Sequence, residues 1–269
     1  MEVEIDITKS VDENAASYFE RAKKAKRKLK GAVETIARFE AKRESVGKET
    51  VQKTSRKKKR KQLWFEKFRW FITSTGFLVI GGRDATTNEL AIKRHAKAGD
   101  LVFHTDMAGS PFFIIQAEGK QIDEQTIAEV ADATCSFSRA WKTGMHATSV
   151  FYVKPDQVTK EANTGEFLSK GAFVIRGQTT YVDNKINLAI GCISKGQYEG
   201  LILCAPKESA ESYCEKKYLI RQGNDKPSDI AKKLKKEFDA TADEIVRALP
   251  SDNIELVRER PRKHDLPTK

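Results

Sequence analysis

Leu78-Val79-Ile80-Gly81-Gly82-Arg83-Asp84-Ala85-Thr86-Thr87-Asn88-Glu89 passes from an apolar run, through two glycines, into a polar stretch that opens a helix. The run reads as a strand, Phe77 to Ile80, and Asn88 to His95 as a helix capped by Thr87 or Asn88. Glycines permit close backbone approach, and a helix start offers unpaired N–H groups to an anion, with Arg83 beside it as a forked donor. The spaced glycine and Lys-Ser/Thr pair of a P-loop are missing, and a tight turn closed by an Arg83–Asp84 ion pair is the competing account.

Downstream, apolar runs at Leu101 to His104, Phe112 to Gln116, Ser149 to Val153, Ala172 to Arg176, Ile186 to Ile193 and Leu201 to Ala205 read as strands. Asp123 to Lys142 reads as one helix, with Ile127, Val130, Ala131, Thr134, Cys135 and Ser138 on a face. Upstream, Val3, Ile5 and Ile7 alternate like an edge strand. From Asp12 to about Glu44, Ala15, Phe19, Ala22, Lys26, Leu29, Val33, Ile36 and Glu40 mark a coiled-coil seam. A helix with so thin an apolar stripe needs a partner, and Ser45 to Lys48 offers a reversal into a returning arm. The expected class is α+β: an antiparallel coiled-coil hairpin over 1–62, a mixed α/β domain over 63–206, and an extension over 207–269 with two helices after Pro227 and a basic tail.

The formal net charge is +11, and its distribution says more than its total. Between Arg21 and Trp70 stand 20 Lys or Arg against 5 Asp or Glu, a surplus of 15, densest at Arg56, Lys57, Lys58, Lys59, Arg60 and Lys61. Such a field attracts a polyanion and releases counterions for each phosphate it neutralises. The competing account is a solvated linker. No run approaches the roughly 18–20 apolar residues of a bilayer span. The basic run also lacks the large apolar face that a membrane surface asks for. Nucleic acid is therefore the expected partner, with no membrane and a cytoplasmic location. Cys135, Cys192, Cys204 and Cys214 form no C-x-x-C pair, so neither metal nor cofactor is expected.

Candidate contacts follow from the pattern of cations and rings. In Leu63 to Ile72, Trp64, Phe68 and Phe71 share a helical face while Lys67 and Arg69 lie off it. Rings interleaved with cations can stack on bases and pair with phosphates, although packing of that helix onto the next domain is the favoured account of the rings themselves. His104 and Asp106 share a face if their strand runs on, the arrangement of an oriented general base. No nucleophile triad or metal spacing completes it, leaving a hydrogen-bonded turn through Gly109 or RNA contact as alternatives. Arg139, Trp141 and Lys142 end the central helix, and Lys154 and Arg176 each follow a strand. Grouped together, they would form a positive rim of phosphate contacts.

Trp64 to Phe71, Gly81-Gly82-Arg83-Asp84 with Asn88-Glu89, His104 to Pro111, Phe137-Ser138-Arg139-Ala140-Trp141 and Val153-Lys154-Pro155 resemble, in that order, the RNA-binding domain of the NFACT family. Glu13 to Lys26 resembles the start of that family's middle coiled coil. The resemblance implies docking on large-subunit rRNA beside a stalled peptidyl-tRNA, recruitment of tRNA, and template-free extension of the nascent chain in ribosome-associated quality control. Peptide-bond formation then belongs to the ribosome, and His104 and Asp106 carry over without a catalytic role. The family's N-terminal domain and helix-hairpin-helix region fall outside the likeness, so a missing half acting in cis or in trans is an expected partner. An RNA-processing enzyme using His104 and Asp106, or a coiled-coil scaffold, are the alternatives to a non-enzymatic RNA binder.

Overall fold

The computed structural model describes residues 4–46, 61–161 and 168–257, and the chain divides into two units, 1–61 and 62–269. In the first, α1 (Val11–Val46) is one helix of 36 residues, about 54 Å at 1.5 Å per residue. A capping box starts it: Ser10 Oγ accepts from the Glu13 N–H at 3.2 Å, and Glu13 Oε2 accepts from the Ser10 N–H at 2.8 Å. The residues before it turn rather than form the edge strand that alternation suggests. Asn14 bends them back, accepting from the Asp6 N–H at 2.9 Å and donating to the Asp6 and Lys9 carbonyls. Of the expected seam, Phe19 is 81% and Ile36 57% exposed, so this face stands in water. The returning arm, with Arg56, Lys57, Lys58, Lys59 and Arg60, lies outside the described residues.

The second unit opens with β1 (Arg69–Ile72), β2 (Leu78–Gly81), α2 (Ala85–His95), β3 (Leu101–Thr105), β4 (Phe113–Gln116), α3 (Glu124–Ser136) and α4 (Arg139–Thr143). There follow β5 (Val150–Val153), the short β6 (Val158–Thr159) and β7 (Val174–Ile175), β8 (Thr180–Val182), β9 (Leu188–Cys192) and β10 (Ile202–Ala205). α5 (Lys207–Tyr213), β11 (Lys217–Asp225), α6 (Pro227–Leu234), α7 (Ala242–Ala248) and β12 (Ile254–Val257) complete it. One antiparallel sheet runs β1-β2-β4-β3-β5-β8, a second β10-β9-β11-β12, and β6 pairs with β7.

Strand alternation splits the first sheet's side chains between two cores. Ile80, Val102, Ile114 and Phe151 pack on Ala91 and Ile92 of α2 and on Phe173 and Ile175. Phe71, Val79, Phe103 and Ile115 pack on Val130 and Ala133 of α3 and on Leu203 of β10. The second sheet buries Leu188, Ile190 and Ile220 beneath Ile230 and Leu234 of α6 and Ile245 of α7. Helices thus segregate to the faces of antiparallel sheets, an α+β arrangement.

Three expectations change. Leu63 to Ile72 is not a helix: a turn through Phe65 leads into β1, whose residues Arg69 to Ile72 pair with β2. Phe65, Phe68 and Phe71 are buried, while Trp64 stacks on His95 at 4.6 Å and stays 46% exposed. The central helix stops at Ser136 and restarts as α4, because the Ser138 hydroxyl accepts from the Ala140 N–H at 3.0 Å and caps a new start. Finally, a boundary at 206 cuts through one sheet, since β9 and β10 precede it while β11 and β12 follow.

Candidate nucleic-acid interface

A cavity of about 510 Å³ opens where the β2–α2 turn, the β3–β4 loop and residues 169–175 converge. It gathers Arg69, Gly82, Arg83, Asp84, Asn88, His104 and Gly109, all singled out by the sequence, with Gly81 at the adjoining strand end. Register explains Arg69: β1 pairs it with Gly81. A Cβ on Gly81 would collide with the Phe113 ring, and one on Gly82 with Asn88 Oδ1, which accepts from the Phe112 N–H at 3.1 Å. Both glycines are therefore required by close packing, and Gly82 with Asn88 fixes the turn to the start of β4.

The helix start is not an open anion hole. Asp84 is the N-cap, accepting from the Thr87 N–H at 2.8 Å while Thr87 Oγ1 accepts from the Asp84 N–H at 3.0 Å. That backbone bond from Thr87 holds the Asp84 carboxyl below its ordinary range. α2 thus begins at Ala85, earlier than the sequence suggests, and is capped by its own side chain.

Arg83 does not close an ion pair with Asp84. Its Nη1 donates to the Arg247 carbonyl, and its Nε is buried without a hydrogen-bond partner. Arg69 donates to the Leu249 carbonyl at 3.0 Å and to Ser251 Oγ at 3.2 Å, with its guanidinium 4.5 Å from the Phe137 ring centroid. The carbonyls of Arg247 and Leu249 lie at the end of α7, where a helix leaves acceptors unpaired. Burial and then the neighbouring Arg83 push Arg69 down to about 10; burial and then Arg247 push Arg83 down to about 10. Both remain cations at neutral pH.

His104 stacks on Phe112 with ring centroids 4.0 Å apart, and its Nδ1 lies 2.6 Å from the Thr105 carbonyl, which it can reach only as a donor. Burial lowers its pKa, which favours the neutral ring. β3 ends at Thr105, so Asp106 leaves the strand and accepts from Tyr181 Oη at 3.3 Å. The oriented base that the two residues suggested is not assembled.

None of the remaining strand-end cations lines the cavity. Trp141 is a core residue, 4% exposed, its Nε1 donating to the Asn253 carbonyl at 3.1 Å. Arg139 and Lys142 stand exposed on α4, which Gln222 of β11 ties to the second sheet through the Ala140 and Trp141 carbonyls. Lys154 and Arg176 flank the β6–β7 pair. Gln157 Nε2 donates to the Arg176 carbonyl at 2.9 Å, and Arg176 lies 3.6 Å from Glu161.

Lys170 and Phe173 also wall this cavity, and no local motif marks them. Glu89 brings them: it lies 2.6 Å from Lys160 Nζ and accepts from the Gly171 N–H at 3.2 Å, across 82 positions of chain. Lys160, the larger cause, and that N–H hold its carboxyl down to about 2. Gly171, at φ +83°, presses so close to α2 that a Cβ would lie 2.6 Å from Ala85 Cα.

The buried thiols of Cys135, Cys204 and Cys214 are pushed up by burial to about 11, 12 and 12, far from a reactive thiolate. Among the described residues no His, Cys, Asp and Glu group is placed to hold a metal, and no helix is long and apolar enough to cross a membrane.

Residues 67–177 match the family model described as the NFACT protein RNA binding domain. The chain is 40% identical over 209 residues to the archaeal Rqc2 homolog aRqcH of Methanocaldococcus jannaschii, an overlap covering 76% of this chain and 31% of that protein. It is 37% identical over 185 residues to the ribosome quality control complex subunit NEMF homolog of Drosophila melanogaster, covering 67% and 18%. It is also 37% identical over 174 residues to the ribosome quality control complex subunit NEMF of Homo sapiens, covering 63% and 16%. The chain spans less than a third of each relative. The cavity walls from Arg69 to Ile175 fall inside the matched segment, with Ser251 contributed from beyond it.

Proposed function

Because the chain belongs to the NFACT family through the RNA-binding domain at residues 67–177, we propose that it binds RNA in ribosome-associated quality control, docking on large-subunit rRNA and touching tRNA in the cytoplasm. The observation that carries this reading is the charge of the cavity inside that domain: Arg69, Arg83 and Lys170 against Asp84, whose carboxylate is already spent on its helix cap. Phosphate is the ligand chemistry that such half-used guanidiniums match. The basic segment from Arg21 to Trp70 adds attraction that needs no fixed geometry. In this reading the chain positions RNA and performs no chemistry, and a family half outside this sequence completes the assembly in cis or in trans.

Co-sedimentation with purified large ribosomal subunits tests it. Six to ten phosphate contacts predict an affinity falling by roughly 10³ to 10⁵ between 50 and 200 mM salt. Binding that ignores salt, or none in dilute buffer, contradicts it. The RNA-processing alternative loses its catalytic pair, since Asp106 is turned to Tyr181. The scaffold alternative keeps one observation, the exposed stripe of Phe19, Leu29, Val33 and Ile36 on α1. Charge reversal of the basic run separates it, because protein contacts through that stripe would survive.

A further inference from the structure

Resting on that RNA-binding reading, we propose that the cavity lined by Arg69, Arg83, His104, Phe137, Lys170 and Phe173 is a pocket for one nucleotide unit, a base with its phosphate. The unit comes either from an unpaired position of an RNA chain or from a free nucleoside monophosphate.

Size comes first: about 510 Å³ falls within the range of small-ligand pockets, roughly 300–1,000 Å³. A recess of that size takes one splayed-out nucleotide and excludes a base pair, and unpaired positions are where proteins read RNA. Donors come second. A guanidinium has five N–H groups. Arg83 commits Nη1 to Arg247 while its Nε is buried without a partner, and Arg69 commits two donors to Leu249 and Ser251. A buried, unpaired donor beside a second arginine calls for an acceptor the protein does not supply, and phosphate oxygens fit. Lys170, close enough to Asp84 to act on its carboxyl, adds the charge that offsets Asp84.

Flat surfaces come third. The neutral His104 ring is backed on one face by Phe112, and Phe173 packs edge-on to Phe112 at 5.4 Å. A base placed against the opposite face of His104 would stack, as bases do on His and Phe, with its phosphate toward Arg83. Rings and guanidiniums with donors left over, within one recess, distinguish this site from a general phosphate-binding surface.

The test is an NMR titration of the full chain with labelled arginine, following the Nε–Hε signals, with Arg83 assigned through Arg83→Lys. The probes are AMP, UMP, inorganic phosphate, a single-stranded oligoribonucleotide and a blunt RNA duplex. The pocket predicts that a nucleoside monophosphate shifts the Arg83 signal saturably and at least about tenfold more tightly than phosphate. Lys170→Ala, at an exposed position, should weaken the nucleotide about tenfold while the other arginine signals stay in place. Competition by the single strand identifies RNA as the source, and its failure against a saturable nucleotide identifies a free nucleotide; either supports the pocket. If the single strand binds yet no nucleotide moves Arg83, or phosphate does as well as AMP, the pocket is overturned and the RNA-binding reading survives. If no RNA binds while a nucleotide still moves Arg83 saturably, the RNA-binding reading falls and the pocket stands; if neither RNA nor nucleotide binds, both fall.

Discussion

On α1, Lys23, Lys24, Lys26 and Lys30 stand exposed along a 36-residue helix, with Lys23 3.7 Å from Glu20. In the second unit Arg69 and Arg83 are instead held against the end of α7 by carbonyls and an aromatic ring, and burial lowers both to about 10. Exposed cations act over about a Debye length, 8–10 Å at ordinary salt, and accept a phosphate in many geometries. Anchored guanidiniums are few but fixed, so they select where a phosphate sits. In the proposed reading one region supplies attraction and the other supplies the address, and the two should respond differently to salt and to mutation.

The largest expected effect lies in the first region. Lys57→Glu, Lys58→Glu and Lys59→Glu together should weaken RNA binding on the order of a thousandfold in dilute buffer, flattening the salt slope by about 0.7–0.9 per lost phosphate contact. Unfolding by urea is expected to shift by less than about 0.5 kcal/mol. A steep salt slope in the triple variant would erase the distinction.

Next is Arg69→Ala, which removes two charged hydrogen bonds and the contact with Phe137. It should cost about 3 kcal/mol in urea titrations. Binding unchanged after this loss would show that the arginine serves only to clamp α7. Gly82→Ala should cost about 2 kcal/mol, because its methyl group meets Asn88 and frees the turn that aims Arg83.

The smallest effect is a pH signature. Glu89 titrates near 2 when folded against an ordinary 4.5, so its contribution is fully present above about 4.5 and is lost as pH falls toward 2. Stability curves of the wild type and Glu89→Gln should therefore converge in acid, separate as pH rises from about 2 to 4.5, and keep a constant gap above that. Parallel curves would mean that Glu89 does not hold the loop bearing Lys170.

Much of this site could be read before any coordinates. A double glycine between a strand and a helix fixed the turn, and Arg83, Asn88, His104 and Gly109 do line one cavity. What failed did so for local reasons. Trp64, Phe68 and Phe71 repeat with helical spacing, yet Trp64 sits in a turn and Phe71 pairs with Val79 of β2, so tertiary pairing outweighed that spacing. β11 went unread because its apolar run, Tyr218 to Ile220, is only three residues long and the rest of the strand is polar. Lys170 and Phe173 reach the cavity through Glu89 and Gly171, and no local pattern encodes a bond across 82 positions. The basic run stood out by composition alone.

Ultraviolet crosslinking of bound RNA to the full chain, with modified peptides located by mass spectrometry, tests the division of labour most directly. The account predicts adducts in 81–89, 104–112 and 169–175 as well as in the basic run, with Arg83→Gln removing the first group and sparing the second. Adducts confined to the basic run, unchanged by Arg83→Gln, would contradict it.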